Sequence, residues 1–139
     1  MKQSIYADQL TAINADESRF SLPYLSMWME GEILCGEYTK DLHLSLEVAK
    51  ACVEARLFFS KGKMSVLLVD MRGIKSTTRD ARQYMATIGA TLVKACALIT
   101  GSGFNRTLGN IFLTIDKPAV PTKLFTDKEK AKAWLQQYL

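Results

Sequence analysis

Hydroxyl side chains and a guanidinium follow an apolar run near the middle of the chain, at Ser76, Thr77, Thr78 and Arg79. Thr77 precedes Asp80 by three residues, a spacing similar to a capping box, so helix capping accounts for one or two of the hydroxyls. Three adjacent hydroxyls exceed what a cap needs, and the neighbouring guanidinium suits a carboxylate or a phosphate. The segment is therefore expected to begin a helix, and anion binding or phosphorylation is a second hypothesis for it.

A second segment suited to an anion is Gly101–Gly103, which includes Ser102 and is followed by Asn105 and Arg106. Glycines before a helix leave backbone N–H groups at the positive end of the helix dipole. The segment has neither the third glycine of a dinucleotide fingerprint nor the lysine of a P-loop, so a simple tight turn is the favoured interpretation. The alternative is that both segments, together with Arg72, form one binding surface for an anionic ligand or an acidic partner.

The remaining reactive residues form no catalytic or metal-binding pattern. His43 is the single histidine, and no Ser, Cys or acidic partner is recognisable near it, so a surface position is expected. Asp70 is a lone carboxylate at the end of a buried run and is interpreted as accepting hydrogen bonds from the N–H groups of a turn. The three cysteines have no metal-ligand spacing and are interpreted as reduced apolar residues. The sequence therefore predicts no enzyme, no metal and no cofactor.

Apolar runs predict the strands that would position these segments. Met64–Val69 is rich in Val and Leu, and Lys94–Thr100 has a similar character. Strands buried on both faces have such sequences because they have no solvent-facing side. Tyr24–Met29 and Ile33–Tyr38, joined by a short glycine-containing link, predict a hairpin. Thr122–Phe125 predicts a short final strand.

Four helices are predicted between and after these strands. Ser45 is a suitable N-cap for a helix over Leu46–Ser60. A second helix starts at the Thr77–Asp80 spacing and stops near Gly89, and a third follows Gly103. Thr126 and Glu129 form a capping box for the last helix. Its inner face is predicted at its apolar positions, Ala131, Trp134, Leu135 and Tyr138.

The resulting order is β-β-α-β-α-β-α-β-α, which predicts a single α/β domain with a mixed, mostly parallel sheet. The length of 139 residues suits one domain with a core of its own. We assign the domain to residues 24–139 and interpret residues 1–23 as a lead-in segment that is either separate or part of the domain. A short edge strand is an option within residues 1–18.

The composition excludes several classes of protein. With 48% hydrophobic and 23% charged residues it is ordinary for a globular protein. No apolar run approaches the roughly 20 residues of a membrane helix, and no export signal is evident, so a cytoplasmic protein is expected. The net charge of +4 comes from Lys and Arg scattered along the chain, which favours a solvated surface over nucleic-acid binding.

The element order, with LLVDMRGIKSTTRDAR at its centre and LFTDKEKAKAWL near its end, resembles the STAS-like families. These include the bacterial anti-sigma-factor antagonists and the SpoIIAA-like group, and their fold is related to the CRAL-TRIO lipid-transfer domain. The most specific passages are Val66–Gly73, Ala97–Ser102 and the closing helix from Phe125 to Leu135. This last passage is more similar to the SpoIIAA-like group than to the antagonists.

The resemblance implies a non-enzymatic regulatory or ligand-binding domain that engages a protein partner or a small anionic ligand at the C-terminal strand ends. Antagonists of this kind carry a phosphorylated serine whose slot falls near Arg79 or Asp80 here, so their switch is not expected in this chain. The alternative is a carrier of an apolar or lipid-like molecule, as in CRAL-TRIO domains. The partner and the oligomeric state are not predicted.

Aromatic residues bear on the second alternative, because they could line a pocket. At their spacings most are expected in the core; they are Tyr24, Trp28, Tyr84, Phe104, Phe112 and Trp134. An ordered anion site at the strand ends would favour the first alternative. An apolar cavity beneath the helices would favour the carrier.

Overall fold

Strands and helices alternate through residues 19–139 of the computed structural model, the part of the chain that the structure describes. The strands are β1 Phe20–Ser21, β2 Leu25–Glu30, β3 Ile33–Tyr38, β4 Leu42–Leu44, β5 Ser65–Asp70, β6 Ile74–Thr77, β7 Val93–Ile99 and β8 Thr122–Phe125. The helices are α1 Leu46–Phe59, α2 Arg79–Ala86, α3 Phe104–Ile111 and α4 Lys128–Leu135. The edge strand considered within residues 1–18 lies outside the described residues.

Within residues 19–139 the main sheet has six strands in the order β1-β2-β3-β5-β7-β8. The β2–β3 hairpin is antiparallel, as predicted, and β3, β5, β7 and β8 run parallel to one another. β5 therefore lies between two parallel neighbours, where the Val- and Leu-rich sequence placed it. The predicted α/β fold with a mixed, mostly parallel sheet is confirmed.

The side chains of β5 alternate between two layers. Val66 and Leu68 belong to a core cluster that contains Ala131 and Leu135 of α4. Leu67 and Val69 point to the opposite face, which α1, α2 and α3 cover. Because period-two alternation sends successive side chains to opposite faces, one strand supplies both cores. In the described part of the chain the helix layers are therefore unequal, with α1, α2 and α3 on one face and α4 on the other.

A second, two-stranded sheet was not predicted. Ser76 and Thr77 were expected near the start of a helix, but they belong to β6, which pairs in parallel with β4. Gly73 permits this arrangement, since a Cβ atom there would lie 2.5 Å from the carbonyl oxygens of both Tyr38 and Thr39. The Lys-Ser-Thr sequence of β6 carries no strand signal, so this pairing depends on the contact between distant segments.

The helix starts agree with the sequence in part. Ser45 caps α1 as predicted, accepting from Val48 N at 3.2 Å. α2 begins one residue later than the capping-box spacing indicated, because Thr77 ends β6 and Thr78 is the N-cap. The last helix is capped by Asp127, not Thr126, and the Asp127 carboxylate accepts from the backbone N–H of Glu129 at 2.8 Å. Within residues 19–139 no helix is both long and apolar enough to cross a membrane.

Glu30 ties the hairpin to α4 through a group of charged and polar contacts. Its carboxylate accepts from Lys128 at 2.9 Å and from Lys132 at 3.1 Å. It also accepts from the Cys35 thiol at 2.9 Å and from Trp28 Nε1 at 3.1 Å. These donors, the Cys35 thiol first, lower the pKa of Glu30 to about 2. Burial is the main reason that the pKa of Cys35 is raised to about 12, so this thiol stays protonated and able to donate.

Replacing Leu68 by Ala is expected to lower the free energy of unfolding by about 2–5 kcal/mol, because it leaves a cavity between β5 and α4. Met64 is the matched control: it adjoins the same strand but is 52% exposed, so Met64→Ala should cost less than about 0.5 kcal/mol. Urea denaturation of the two variants checks this. Equal effects would mean that β5 is not the central strand.

The ion pairs of Glu30 predict a defined dependence of stability on pH. Folding lowers its pKa, so its contribution is fully present above the ordinary value of 4.5 and is lost as pH falls toward about 2. Because the side chain is 30% exposed, we expect Glu30 to contribute only about 1 kcal/mol to the free energy of unfolding. The stability difference between wild type and Glu30→Gln should thus shrink between pH 6 and pH 3. Glu32→Gln, in the exposed turn, is the control and should show no such change.

Candidate functional site

Asn105 joins the two loops that were predicted to meet at the carboxyl ends of β5 and β7. Its Nδ2 donates to the carbonyl oxygens of Met71 at 2.9 Å and Ile74 at 3.0 Å. Its Oδ1 accepts from the backbone N–H of Gly101 at 2.8 Å. The loops are therefore adjacent, and the Asn105 amide is fully used in holding them together.

The three consecutive hydroxyls also make contacts inside the protein. Ser76 Oγ lies 2.6 Å from Nδ1 of His43. Thr77 donates to the carbonyl of Leu44 at 2.8 Å, which joins the ends of β6 and β4. Thr78 accepts from the N–H of Ala81 at 3.3 Å as the N-cap of α2. The small sheet and the cap together account for the run of hydroxyls that exceeded the needs of a helix start.

The arginines at this edge differ in their partners. Arg72 forms an ion pair with Asp70 at 2.6 Å, and this carboxylate also accepts from the Arg72 backbone N–H at 3.0 Å, so Asp70 accepts from the turn as expected. The hydrogen bonds to Asp70 raise the pKa of Arg72. Arg79 and Arg106 are exposed, as is Ser102, and within residues 19–139 neither arginine forms a salt bridge. Anion binding at this edge stays a prediction.

A cavity of about 140 Å³ lies on the other side of these loops, between the sheet and helices α1, α2 and α3. Its floor is the sheet face that carries Met27, Leu67, Val69 and Leu98. Cys52 of α1 belongs to the helical wall. Val69, although central in the sheet, is only partly buried because it faces this space. Val69 and Cys96, which line the cavity, pack against both apolar clusters on this face.

The half-buried side of the cavity is formed by a 3₁₀ turn over Ile88–Ala90 and by the segment before β8. Gly89, Ala90, Pro118 and Val120 line it and keep part of their surface exposed. A hydrogen bond of 2.9 Å from Ala119 N to the carbonyl of Ala86 joins the segment before β8 to the end of α2, two residues before the turn.

Two arginines line this apolar space and differ in how their charge is compensated. Arg82 forms a 2.9 Å ion pair with Asp116, whose side chain is 1% exposed. Arg56 on α1 is 6% exposed and donates from Nη2 to the carbonyl oxygens of Gly89 at 3.2 Å and Thr91 at 2.8 Å. Its Nη1 is buried without a hydrogen-bond partner in the described structure. Burial lowers the pKa of Arg56, which reflects the cost of holding a charge there.

Neither arginine was singled out from the sequence. Arg56 lies between Val53 and Leu57, at a position that the 3.6-residue period assigns to the buried side of the helix. An arginine predicted to be buried is unusual, and this feature of the sequence could have marked Arg56 as a candidate functional residue. The expectation for the aromatic residues holds in part. Phe112 lines the cavity and Trp134 of α4 packs against the core cluster on the α4 face of the sheet, whereas Phe104 is 64% exposed.

Residues 27–139 match a family model described as Domain of unknown function (DUF7793). The chain belongs to this family. No curated protein matches its sequence. The DUF7793 chain is similar in structure to an uncharacterized protein of the DUF3478 family from Shewanella loihica PV-4, described as having a SpoIIAA-like fold. The TM-score is 0.57 at 17% identity, and the match covers 83% of this chain and 96% of that one. The predicted STAS-like, SpoIIAA-like fold is confirmed for this DUF7793 domain.

Asn105→Ala is expected to lower the free energy of unfolding by about 1–3 kcal/mol, since it leaves three backbone groups of the two loops without their partner. Ser102→Ala is the control, because Ser102 is exposed and should change stability by less than about 0.5 kcal/mol. Thermal denaturation compares them. A negligible effect of Asn105→Ala would show that the loops do not need this side chain.

Proposed function

We propose that this domain is a non-enzymatic binding module that takes a small apolar molecule into the cavity between the sheet and helices α1–α3. The observation that supports the proposal is the cavity itself, about 140 Å³ in volume and lined almost entirely by apolar side chains. A regulatory role and a cytoplasmic location are further parts of the proposal.

The size of the cavity agrees with this function. An apolar cavity of roughly 150 Å³ accepts benzene and stays free of water otherwise. A molecule with about six to eight non-hydrogen atoms therefore suits the space, and a long acyl chain does not. The volume of the cavity therefore suits a carrier of small aromatic or branched aliphatic compounds, and it does not suit a carrier of lipids in general.

The energetic cost of the cavity favours a functional role over imperfect packing. At about 24 cal/mol per Å³, an empty space of 140 Å³ destabilises the fold by on the order of 3 kcal/mol. Domains of this size have only about 5–15 kcal/mol of stability in total. A bound molecule would recover much of this loss, because it restores contacts to the lining.

The strand-end surface is the competing location, and its polar groups have other uses. Asn105 and the hydroxyls of Ser76–Thr78 are hydrogen-bonded within the protein, and Asp70 compensates the charge of Arg72. An anion there would depend on the exposed Arg79 and Arg106. A molecule in the cavity would depend on none of these polar groups, so we favour the cavity as the binding site.

Titration with toluene, followed by ¹H–¹⁵N NMR, tests the proposal. The amides of Gly36 and Gly89, which line the cavity, should shift on addition of toluene. Those of Gly31 and Gly62, in exposed turns, should not. Saturable shifts at the first pair are the expected result. Shifts at neither pair, or uniform weak shifts, would contradict the proposal.

Variants on opposite faces of β5 provide the matched comparison. Val69→Phe fills the cavity and should weaken toluene binding at least tenfold. Val66→Ala alters the α4 face and should leave the toluene Kd within about threefold, although it too lowers stability. Thermal denaturation establishes that both variants fold. Toluene binding that survives in a folded Val69→Phe variant would place the bound molecule elsewhere.

A further inference from the structure

Arg56 carries a charge into the apolar cavity that no acidic residue compensates in residues 19–139. Its side chain lines the cavity and is 6% exposed, and it forms none of the salt bridges of this part of the chain. Arg82 is the contrast, because it lines the same space but is paired with Asp116. A buried charge without a counterion is costly, and protein structures rarely keep one.

The guanidinium is held in place by its other hydrogen bonds. Nη2 donates to the carbonyl oxygens of Gly89 and Thr91, on the side where the cavity approaches the surface. Both N–H groups of Nη2 are thereby used, and within residues 19–139 those of Nη1 are buried without an acceptor. The orientation of Arg56 is thus fixed by the backbone, while the donor capacity of its guanidinium is only partly used.

The geometry points to a small organic carboxylate as the ligand, with its apolar body in the cavity and its carboxylate paired with the uncompensated guanidinium of Arg56. This inference rests on the proposed function and adds the chemical class of the ligand. The carboxylate would supply both the missing acceptor and the missing negative charge, and hydrogen bonds between charged groups are about twice as strong as neutral ones. The 140 Å³ volume limits the body to about the size of one aromatic ring.

The residues around the guanidinium agree with an anionic ligand. The groups lining the cavity include Tyr38, Cys52 and Cys96, and burial is the largest cause of the raised pKa of all three. They are therefore neutral at pH 7 and do not compensate Arg56. Burial also lowers the pKa of Arg56, and a bound carboxylate would reverse that effect.

Benzoate, benzamide and toluene are the probes, because they share one ring and differ in charge and polarity. We expect wild type to bind benzoate at least tenfold more tightly than benzamide at pH 7 in chloride-free buffer, as measured by titration calorimetry. Arg56→Met should weaken benzoate binding at least tenfold more than it weakens toluene binding. Arg56→Lys, which keeps the charge, should restore part of the preference for benzoate.

The outcomes separate this inference from the proposed function. If toluene binds but benzoate binds no better than benzamide, the carboxylate inference is wrong and the apolar site stands. If neither toluene nor benzoate binds, both are wrong. Should Arg56→Met fail to fold, the NMR signal of the Arg56 side-chain Nε–H group in the wild-type protein provides the test. This signal should shift on addition of benzoate and not on addition of benzamide. Equal shifts with both compounds would overturn the inference.

Discussion

The burial of β5 on both faces is the constraint on which the rest of the structure depends. A strand with no solvent-facing side needs a layer of helices above and below it, and its alternating side chains divide the interior into two cores. Val66 and Leu68 contribute to one core with α4, and Leu67 and Val69 face the other. The positions of all four helices follow from this requirement.

The two cores are filled to different extents. On the α4 side a single helix with Ala131 and Leu135 packs closely on small strand residues such as Ala95 and Ala97, all of them fully buried. On the opposite face the helices α1, α2 and α3 cover the sheet within residues 19–139, and they leave a gap above Val69. Neighbouring helices keep about 8–10 Å between their axes, so they do not cover every part of the sheet face beneath them equally. The cavity lies on this face, and its apolar lining makes it suitable for a ligand.

Polar groups at the margins hold this arrangement. Asn105 fixes the loops after β5 and β7, Arg56 anchors the 3₁₀ turn beside the cavity, and Glu30 attaches α4 to the hairpin. In each case one side chain contacts backbone or charged groups far away in sequence. Asn105 and Glu30 satisfy their polar groups within the protein. The polar groups of Arg56 are satisfied only in part, and for this reason we infer that Arg56 binds a ligand.

The sequence by itself determined the elements whose signals are local. The apolar runs specified β5 and β7, Ser45 specified the start of α1, and the hairpin, the final strand and the inner face of α4 followed from their patterns. Only the tertiary structure decided the features that join distant segments. The β4–β6 pairing gave Thr77 a partner in Leu44, 33 residues away, and moved the cap of α2 to Thr78. The cavity likewise depends on how three helices settle on a sheet, and the isolation of Arg56 depends on which carboxylates lie near it in space. Periodicity along a chain assigns a residue to the buried side of a helix or strand. Whether the space on that side is filled, and whether a buried charge finds a counterion there, depends on how the layers pack.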